Sequence, residues 1–516
     1  MTGAECLLRT LVAHGVDLCL MNPGTSEMQF VSALDRAPEM RGVLCLFEGV
    51  CSGAADGYAR MLRRPAATLA HLGPGLGNAL ANFHNARKAR SPVVSIVGEH
   101  STAHLPYNAP LTADITAFAR GVSCWIHTLA RAEESGEMTA AAVRAAYGPP
   151  GQVATLIVPA DFSWSDGGEP VEGVSAFPNA AVPDARRVRQ AAMIMNRGSR
   201  AGLLLSGGAL LESGLVAAGR IAAATGARVF ADRFAARLTR GGGLFAPERI
   251  PYFPEPAEAA LAGLEDLVLV EAEQPVSFFG YPGRRSTLAP EACRMHTLAT
   301  PAEDGTAALA ALAEECGASP AAPHATCDRP LLPGDGALTL DAIGRAIGAL
   351  LPDGAIVSDE MVSSGERVLP WLAAVRHHHL PVTGGAIGQG LPVALGAALA
   401  CPDRKVVALE ADGSAMYTLQ ALWTMARERL DVVTVIFANR RYRILEIETR
   451  RTGAGEIGPR AAAMMDIGQP DLDWVKVAEA QGVAGERTET AGEFVDAFRR
   501  AMAERGPRLI EAVLDR

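Results

Sequence analysis

The side chains best suited to chemistry lie in one stretch, 405–445, whose pattern predicts a strand, a turn, a helix and a second strand. Asp412 follows the first apolar run, and Gly413 after it permits a tight turn. Asn439 follows the second apolar run. Neighbouring strands of a right-handed βαβ unit end at the same sheet edge, so we expect Asp412 and Asn439 to lie close together. Their carboxylate and amide oxygens are ligands that suit Mg²⁺.

Ser414 and the helix expected over 418–430 add a second feature to this stretch. Ser414 offers a hydroxyl and an N–H group, and a helix N-terminus favours a diphosphate because its N–H groups are unpaired. Asp-Gly-Ser by itself is typical of an ordinary turn, and Asn at a strand end is typical of a cap. The strand–helix–strand context and the matching Asn439 together favour a site for Mg²⁺ and a diphosphate.

Two further motifs lie outside this stretch. Glu48 follows the apolar run 42–47 and precedes small residues that end in Gly-Tyr-Ala-Arg at 57–60. A single Glu in that place is usual at a helix N-terminus, so Glu48 alone does not establish a site. The run 382–400 is rich in glycine, which lets the backbone approach a ligand closely. Close packing of a helix is the alternative explanation of those glycines.

Three residues at other expected strand ends are candidates for contact with a substrate. Thr25 ends an Asn-Pro-Gly-Thr turn, His71 precedes a Gly-rich turn, and His100 follows another apolar run. A capping Thr and hydrogen-bonded structural histidines are the alternatives. The turn after His71 is not GxGxxG with an acidic residue about twenty positions on, which disfavours a nicotinamide-dependent oxidoreductase.

The stretch with Asp412 and Asn439 resembles the fingerprint of the thiamine-diphosphate-dependent enzymes, and it is most similar to benzoylformate decarboxylase and the acetolactate synthase group. The resemblance implies that Asp412, Asn439 and the backbone carbonyl of Arg441 bind Mg²⁺. It also implies that Gly413 and Ser414 contact the diphosphate of the cofactor.

The fingerprint departs from the family pattern at three positions. Ala411 replaces its first Gly, Ala438 replaces its first Asn, and Arg440 stands where many members have Gly. None of these changes removes an implied ligand. The adjacent arginines 440 and 441 leave the geometry of the loop open.

The same resemblance implies roles for the other motifs. Glu48 would share a proton with a ring nitrogen of the cofactor's aminopyrimidine. The carbonyl of Gly385 would accept from the 4′-amino group, and Ile387 would keep the cofactor bent. Thr25 would hold the substrate carboxylate, and His71 would transfer a proton.

The implied activity is decarboxylation of a 2-oxo acid by way of an ylide and an enamine, with thiamine diphosphate and Mg²⁺ as cofactors. Carboligation of the acetolactate synthase type, which joins two 2-oxo acids or a 2-oxo acid and an aldehyde, stays open. So does an inactive binding or regulatory homologue. Acetolactate synthases also bind FAD in their central domain; FAD is not expected here, because the central block is short and 280–286 does not match an FAD-binding pattern. Members share each active site between two subunits, which implies a homodimer or homotetramer.

Apolar strands that alternate with helices along the chain predict the elements that position these residues. We expect an α/β protein with three doubly wound parallel-sheet domains. The resemblance identifies them as an aminopyrimidine-binding domain at 1–170, a central Rossmann-like domain at 185–320 and a diphosphate- and Mg²⁺-binding domain at 335–516. Gly- and Pro-rich stretches at 165–184 and 317–336 are the expected linkers.

Composition disfavours several classes of partner. The formal net charge is −10 and the Lys and Arg residues are not concentrated, so nucleic acid is not an expected partner. No run reaches the ~20 apolar residues of a membrane span, and 1–17 predicts an amphipathic helix rather than a signal peptide. The nine cysteines include no CxxC pair, which favours buried thiols over disulfides or zinc and indicates a cytoplasmic protein.

Overall fold

A computed structural model describes residues 1–173, 180–321 and 327–515, which we call the first, central and third segments. The strands form three sheets of six, five and seven strands. The predicted α/β class with three parallel-dominated sheets is confirmed. Within the described segments, no helix is both long and apolar enough to cross a membrane. All nine cysteines are free thiols, and four of them are buried.

The first segment forms a sheet in which every strand pairing is parallel. Alternate residues of its first strand enter two different hydrophobic clusters, Leu18 and Leu20 one of them and Cys19 and Met21 the other, so both faces of the sheet are covered. Its elements are α1 (Gly3–Ala13), β1 (Leu18–Asn22), α2 (Met28–Ala33), β2 (Arg41–Leu44), α3 (Glu48–Leu62), β3 (Ala66–Ala70), α4 (Leu72–Ala89), β4 (Val93–Glu99), α5 (Ile115–Arg120), β5 (Trp125–Thr128), α6 (Ser135–Tyr147), β6 (Val153–Pro159) and α7 (Ala160–Trp164). The strand order is β2-β1-β3-β4-β6-β5.

The central segment forms the five-stranded sheet and contributes one strand, β9, to the seven-stranded sheet of the third segment. Its elements are α8 (Ala185–Met195), β7 (Ala201–Leu205), α9 (Glu212–Thr225), β8 (Arg228–Ala231), β9 (Leu238–Arg240), β10 (Glu248–Arg249), α10 (Pro254–Leu261), β11 (Asp266–Val270), β12 (Arg294–Ala299) and α11 (Gly305–Glu315). The order β10-β8-β7-β11-β12 is parallel throughout and does not include β9.

The third segment carries the largest sheet. Its elements are α12 (Leu340–Leu350), β13 (Ala355–Glu360), α13 (Gly365–Val368), β14 (His377–Pro381), α14 (Gly390–Ala400), β15 (Val406–Ala411), α15 (Asp412–Ala415), α16 (Gln420–Arg427), β16 (Val432–Ala438), α17 (Arg443–Arg451), α18 (Pro459–Ala463), α19 (Trp474–Ala480), β17 (Ala484–Thr488), α20 (Ala491–Ala503) and β18 (Arg508–Val513). The order is β17-β18-β16-β15-β13-β14-β9. Strand β9 pairs antiparallel with His377, His378 and His379 of β14, so these three histidines are strand residues that join two segments.

Short 3-10 helices complete the secondary structure. They span Thr25–Glu27, Leu34–Arg36, Leu105–Tyr107, Ala132–Glu134, Gly198–Arg200, Gly207–Leu210 and Leu369–Leu372.

Helices α3 and α14 hold the first and third segments together. They approach so closely that a Cβ at Gly396 would lie 1.9 Å from the carbonyl oxygen of Ala54, and a Cβ at Gly57 would lie 2.2 Å from that of Val393. One hydrophobic cluster contains buried residues of both segments. The two segments therefore share a core, and glycine at this crossing is a steric requirement.

We predict that Gly396→Ala destabilises the protein, because the added methyl group meets backbone that cannot move without separating α3 from α14. Overpacking of this kind costs about 1–3 kcal/mol. Gly334→Ala is the matched control, since its Cβ would have nothing within 4 Å and its backbone conformation is open to any residue. Differential scanning calorimetry should show a clear fall in unfolding temperature for Gly396→Ala and no fall for Gly334→Ala. Equal unfolding temperatures would contradict the close crossing.

Candidate active site

Four neighbouring strands of the first sheet end side by side, and the candidate residues of the first segment follow them. The strands lie in the order β2-β1-β3-β4. Thr25 follows β1, Glu48 follows β2, His71 follows β3 and His100 follows β4. All four candidates therefore lie along one carboxyl edge of a parallel sheet, where α/β proteins usually bind their ligands.

Glu48 is the first residue of helix α3 and is only 5% exposed. Its Oε1 accepts a hydrogen bond from Nδ2 of Asn22 at 3.1 Å, and its Oε2 accepts one from Nδ2 of Asn78 at 3.0 Å. Both donors are neutral amides, so no cation neutralises the carboxylate at these contacts. A buried carboxylate held in this way keeps acceptor capacity for one more partner. Glu48 therefore fits the predicted place beside the pyrimidine ring of a cofactor.

His71 pairs with Glu27, a residue that sequence reasoning missed. Nδ1 of His71 lies 2.8 Å from Oε2 of Glu27, and its ring lies so close to Gly24 that a Cβ there would be 2.3 Å away. Glu27 is 3% exposed, and burial raises its pKa although the N–H of Gly24 and the His71 ring oppose the rise. The two residues are 44 positions apart, so only their shared place at strand ends indicated a contact.

Thr25 and His100 flank this pair. Thr25 begins the 3-10 turn that ends at Glu27, and it is exposed at the edge of the sheet. The ring of His100 packs edge-on against His104 with centroids 5.2 Å apart. Nε2 of His100 is buried and has no hydrogen-bond partner among the residues the structure describes. Contact of Thr25 and His100 with a substrate stays a prediction.

Asp412 and Asn439 directly follow β15 and β16, which are neighbours and parallel. Asp412 is buried, and its Oδ1 accepts from the N–H of Gly413 at 2.8 Å. Its Oδ2 accepts from the N–H of Arg440 at 2.6 Å, which ties the end of one strand to the end of the next. Burial raises the pKa of Asp412 to about 6, and these N–H donors oppose the rise. The two predicted ligand residues are thus held at one sheet edge.

The two arginines after Asn439 bind groups within the third segment. Oδ1 of Asn439 accepts from the N–H of Arg441 at 3.0 Å, and Nη1 of Arg441 donates to Glu446 at 3.3 Å. Nη2 of Arg440 donates to the carbonyl of Leu514 at 2.7 Å. Arg440 has φ +59°, a left-handed conformation that glycine adopts without strain. The positive φ explains why Gly suits this position in the family pattern.

The composition of this group suits Mg²⁺. Across 1–173, 180–321 and 327–515, no three His, Cys, Asp or Glu side chains are grouped as a metal site. The predicted set is of another kind, with one carboxylate of Asp412, one amide oxygen of Asn439 and the carbonyl of Arg441. Hard oxygen donors in this number leave positions for phosphate oxygens on Mg²⁺. At the adjacent turn, a Cβ at Gly413 would lie 2.4 Å from the ring of Tyr442, so backbone alone fits there.

The helix predicted over 418–430 is shorter in the structure. A short helix, α15, begins at Asp412 and contains the buried Ser414, and α16 spans only Gln420–Arg427. Between them Oγ1 of Thr418 donates to the carbonyl of Gly388 at 3.0 Å. This bond competes with continuous helix and joins the Asp412 turn to the glycine-rich loop.

The segment 383–389, which we call the glycine loop, contains Gly385 and Ile387. Gly385 has φ +80°, a conformation that favours glycine. Helix α4 fixes the loop, because Nδ2 of Asn85 donates to the carbonyl of Ala386 at 2.8 Å and Nε2 of His84 lies 3.1 Å from the carbonyl of Gly384. Ile387 is half-buried. Helix α4 thus holds the loop on one side, and on another a Cβ at Gly385 would lie 2.4 Å from the ring of Phe278.

Glu360 and Glu410, which sequence reasoning also missed, support the glycine loop. Glu360 ends strand β13 and accepts from the N–H groups of Gly388 at 2.9 Å and Gly390 at 2.7 Å. Glu410 lies beside it in β15, and burial together with repulsion from Glu360 raises the pKa of Glu410 well above its usual range. Burial also raises the pKa of Glu360 to about 7, although the N–H groups from which it accepts oppose the rise. The two acids therefore form one buried pair, and Glu360 is the member that anchors the loop.

A fully buried ion pair of Asp56 and Arg60 was missed as well, although Arg60 ends the Gly-Tyr-Ala-Arg motif and Asp56 directly precedes it. Nη2 of Arg60 lies 2.5 Å from Oδ2 of Asp56, and both side chains are 0% exposed. Arg60 also donates to the carbonyl of Pro381 at 2.9 Å and to Oγ1 of Thr383 at 3.0 Å. The pair thus fastens helix α3 to the start of the glycine loop.

The predicted residues form two groups that helix α4 connects. Nδ2 of Asn82 donates to the carbonyl of Gly49, next to Glu48, at 2.8 Å and to the carbonyl of Gly388 at 3.2 Å. The first group is Thr25, Glu48, His71 and His100 on the first sheet; the second is Gly385, Ile387, Asp412, Gly413, Ser414, Asn439 and Arg441 on the third.

Family models match the two ends of the chain. Residues 1–118 match the family model "Thiamine pyrophosphate enzyme, N-terminal TPP binding domain", and residues 364–512 match "Thiamine pyrophosphate enzyme, C-terminal TPP binding domain". The chain is 52% identical to the Mycobacterium tuberculosis protein named "Putative acetolactate synthase large subunit IlvX", over 100% of this chain and 99% of that protein. It is 28% identical to benzoylformate decarboxylase of Pseudomonas aeruginosa, over 96% of both chains.

A solved structure shares the fold over the whole chain. The thiamine diphosphate-dependent 4-hydroxybenzoylformate decarboxylase of Rhodococcus jostii RHA1 superposes with a TM-score of 0.85, at 24% identity, and covers 100% of this chain and 99% of that one. At this identity the likeness concerns the fold. It confirms the expected architecture of three α/β sheets.

We predict that Arg60→Met destabilises the protein, because it leaves the Asp56 carboxylate buried without its partner. Loss of one member of a buried pair costs about 3–5 kcal/mol. Arg64→Met is the matched control: Arg64 pairs with Asp17 at a half-exposed surface, where a pair contributes about 1 kcal/mol or less. Thermal unfolding followed by circular dichroism should separate the two variants clearly. A drop for Arg60→Met no larger than that for Arg64→Met would contradict the role of the pair.

Proposed function

We propose that this chain, which belongs to the thiamine pyrophosphate enzyme family, decarboxylates a 2-oxo acid with Mg²⁺ and thiamine diphosphate. The observation that carries the proposal is the pairing of His71 with the buried Glu27 at the same sheet edge as Glu48. A decarboxylase must deliver a proton after CO₂ has left, and an oriented histidine beside the activating carboxylate supplies one.

In this proposal the third segment holds the cofactor's charged end. Asp412, Asn439 and the carbonyl of Arg441 bind Mg²⁺, while Ser414 and the N–H groups at the start of α15 contact the diphosphate. Opposite charges make this arrangement favourable, since the buried Asp412 carboxylate gains a divalent cation as a partner. When bound, thiamine diphosphate supplies the electron sink that lets CO₂ depart.

Glu48 then acts as the group that holds a proton toward the pyrimidine ring nitrogen. Asn22 and Asn78 orient its carboxylate and leave it capacity for one more hydrogen-bond partner. Gly385 would offer its carbonyl as an acceptor to the cofactor, and Ile387 would pack its apolar side chain against the cofactor. The contacts of the glycine loop with α4 keep both residues in place.

His71 is assigned the proton transfer to product. A carboxylate that accepts from Nδ1–H fixes the tautomer and leaves Nε2 as the nitrogen that exchanges a proton with the substrate. The Glu27–His71 distance of 2.8 Å fits that arrangement. Thr25, exposed two residues before Glu27, is the group assigned to the substrate carboxylate.

We also assign the active site to two subunits, in a homodimer or homotetramer. Large apolar side chains are exposed beside both groups of site residues: Met28 and Leu46 at the first sheet, and Met416 and Tyr417 at the third. Large apolar side chains exposed beside site residues suit a surface that a second subunit covers. A second copy of the chain that covers them would bring Glu48 of one subunit to Asp412 of the other.

Carboligation is the second candidate. The relative at 52% identity carries an acetolactate synthase name. Both reactions lose CO₂ from a 2-oxo acid and differ only in whether a proton or a second carbonyl compound is taken up. Carboligation would therefore use every residue assigned above in the same role, except that His71 would not deliver a proton to the product.

NMR identification of products tests the two candidates directly. The protein with Mg²⁺ and thiamine diphosphate is incubated with a panel of 2-oxo acids that includes benzoylformate and pyruvate. The proposal expects an aldehyde and CO₂ in equal amounts. A coupled hydroxy-ketone as the main product would favour carboligation instead, and CO₂ release without either compound would contradict both.

We predict that Glu48→Gln lowers turnover on the order of 100-fold or more while thiamine diphosphate still binds, because the amide cannot carry the proton and the diphosphate contacts lie on the third segment. Glu511→Gln makes the same change at a buried carboxyl outside the candidate site and should keep near-normal turnover. Turnover is followed by CO₂ release, and cofactor affinity by the quench of tryptophan fluorescence. Full activity in Glu48→Gln would remove Glu48 from its proposed role.

A further inference from the structure

A large cavity of about 1680 Å³ opens at the carboxyl edge of the central sheet, against helices α3 and α4. In the order β10-β8-β7-β11-β12, strand β7 lies between β8 on one side and β11 on the other. The strand order therefore changes direction at β7. The crevice between the ends of β7 and β11 is the place where sheets of this kind bind nucleotides. The acetolactate synthase resemblance raised FAD for this part of the chain.

A protein carboxylate already fills the anion position in this crevice. Glu271 directly follows β11, and its Oε2 accepts from the N–H of Gly208 at 2.6 Å. Its Oε1 accepts from the N–H of Gly305, the first residue of α11, at 2.9 Å. A glycine turn after the first strand and a helix N-terminus are the two features that bind phosphate in nucleotide folds. Here both of them bind Glu271.

The packing around this carboxylate leaves no room for a second anion. A Cβ at Gly207 would lie 2.0 Å from Oε2 of Glu271, and a Cβ at Gly305 would lie 2.4 Å from Oε1. Glu271 itself has φ +52°, a conformation that favours Gly and, less strongly, Asn, and that strains a longer side chain such as Glu. The contacts of its carboxylate hold the residue in that conformation.

Nucleotide-binding folds often use an acidic residue after the second strand to bind a ribose hydroxyl. In this chain the corresponding residue is Asp232, and both of its carboxylate oxygens already accept hydrogen bonds within the chain. Asp232 follows β8, and its Oδ2 accepts from Oγ of Ser206 at 3.0 Å. Its Oδ1 accepts from the N–H of Phe234 at 3.2 Å. Both polar positions of the crevice therefore have internal partners.

We infer that Glu271 is a built-in anion that occupies the phosphate position of the central sheet and closes it to FAD and other dinucleotides. The cavity beyond it remains, and cationic side chains such as Arg63 and Arg90 line it. The backbone N–H groups of Gly208 and Gly305, which would bind the diphosphate of such a ligand, are however taken by Glu271. The inference concerns the central segment and does not depend on the proposed reaction, since it is tested by binding of FAD rather than by turnover.

Equilibrium dialysis against FAD tests the inference on the protein saturated with Mg²⁺ and thiamine diphosphate, so that the third segment's diphosphate site is filled. The unaltered protein should retain no FAD. Glu271→Gly removes the carboxylate, suits the positive φ and frees both N–H donors. It should raise FAD affinity at least about tenfold, the scale of gaining hydrogen bonds to a charged group. Glu271→Asn is a second variant, because Asn tolerates a positive φ and its shorter side chain also vacates the position.

Glu273→Gly is the matched control, since it removes a carboxylate from the same crevice that pairs with Arg90 and is 81% exposed. Stoichiometric binding of FAD by the unaltered protein would overturn the inference. Equal FAD affinity in the Glu271 variants and in Glu273→Gly would overturn it as well, because Glu271 would then not be what excludes the ligand.

Discussion

The buried pair of Asp56 and Arg60 connects all three segments of the chain. Arg60 on α3 donates to the carbonyl of Ala236 in the central segment at 3.3 Å and to that of Pro381 in the third at 2.9 Å. Two buried charges are tolerated only when their remaining hydrogen-bonding groups are satisfied. Oγ of Ser91 donates to Asp56 at 2.5 Å, and Nε2 of Gln389 lies 3.4 Å from it. Both ends of the glycine loop are thus tied to one ion pair on α3.

The two groups of candidate residues follow from one property of parallel sheets. Strands that run in the same direction end at the same edge of the sheet. Polar residues placed directly after such strands therefore lie near one another, and no further contacts are needed to bring them together. The first sheet uses this to bring Glu48 and His71 to one edge, and the third does the same with Asp412 and Asn439. The crossing of α3 and α14 then fixes one sheet against the other. The central sheet has the same kind of edge, but Glu271 fills it.

Local pattern was enough to predict the residues that follow strands. Asp412, Asn439 and Glu48 each come after an apolar run. Because parallel strands end at the same edge of a sheet, the place of each residue in the fold follows from that pattern. Glu27 and Glu360 were not predictable in this way, because their importance depends on contacts with His71 and with the N–H groups of Gly388 and Gly390.

Two structural details also escaped the sequence pattern. The helix predicted over 418–430 begins only at Gln420, because Oγ1 of Thr418 donates to the carbonyl of Gly388 in the glycine loop. Strand β9 belongs to the central segment but pairs with β14 in the third sheet. This pairing depends on how the segments pack, which the local sequence does not show. Both misses arise from tertiary contacts that override local propensity.

We propose that these residues assemble a site that activates thiamine diphosphate. The rate at which the C2 hydrogen of the bound cofactor exchanges with D₂O, measured by quenched flow and NMR on the protein with Mg²⁺ and no substrate, tests this directly. We expect exchange at least ~100-fold faster than in free thiamine diphosphate, because a positioned carboxyl group assists the proton transfer. Exchange at the rate of the free cofactor would contradict it, whatever the substrate proves to be.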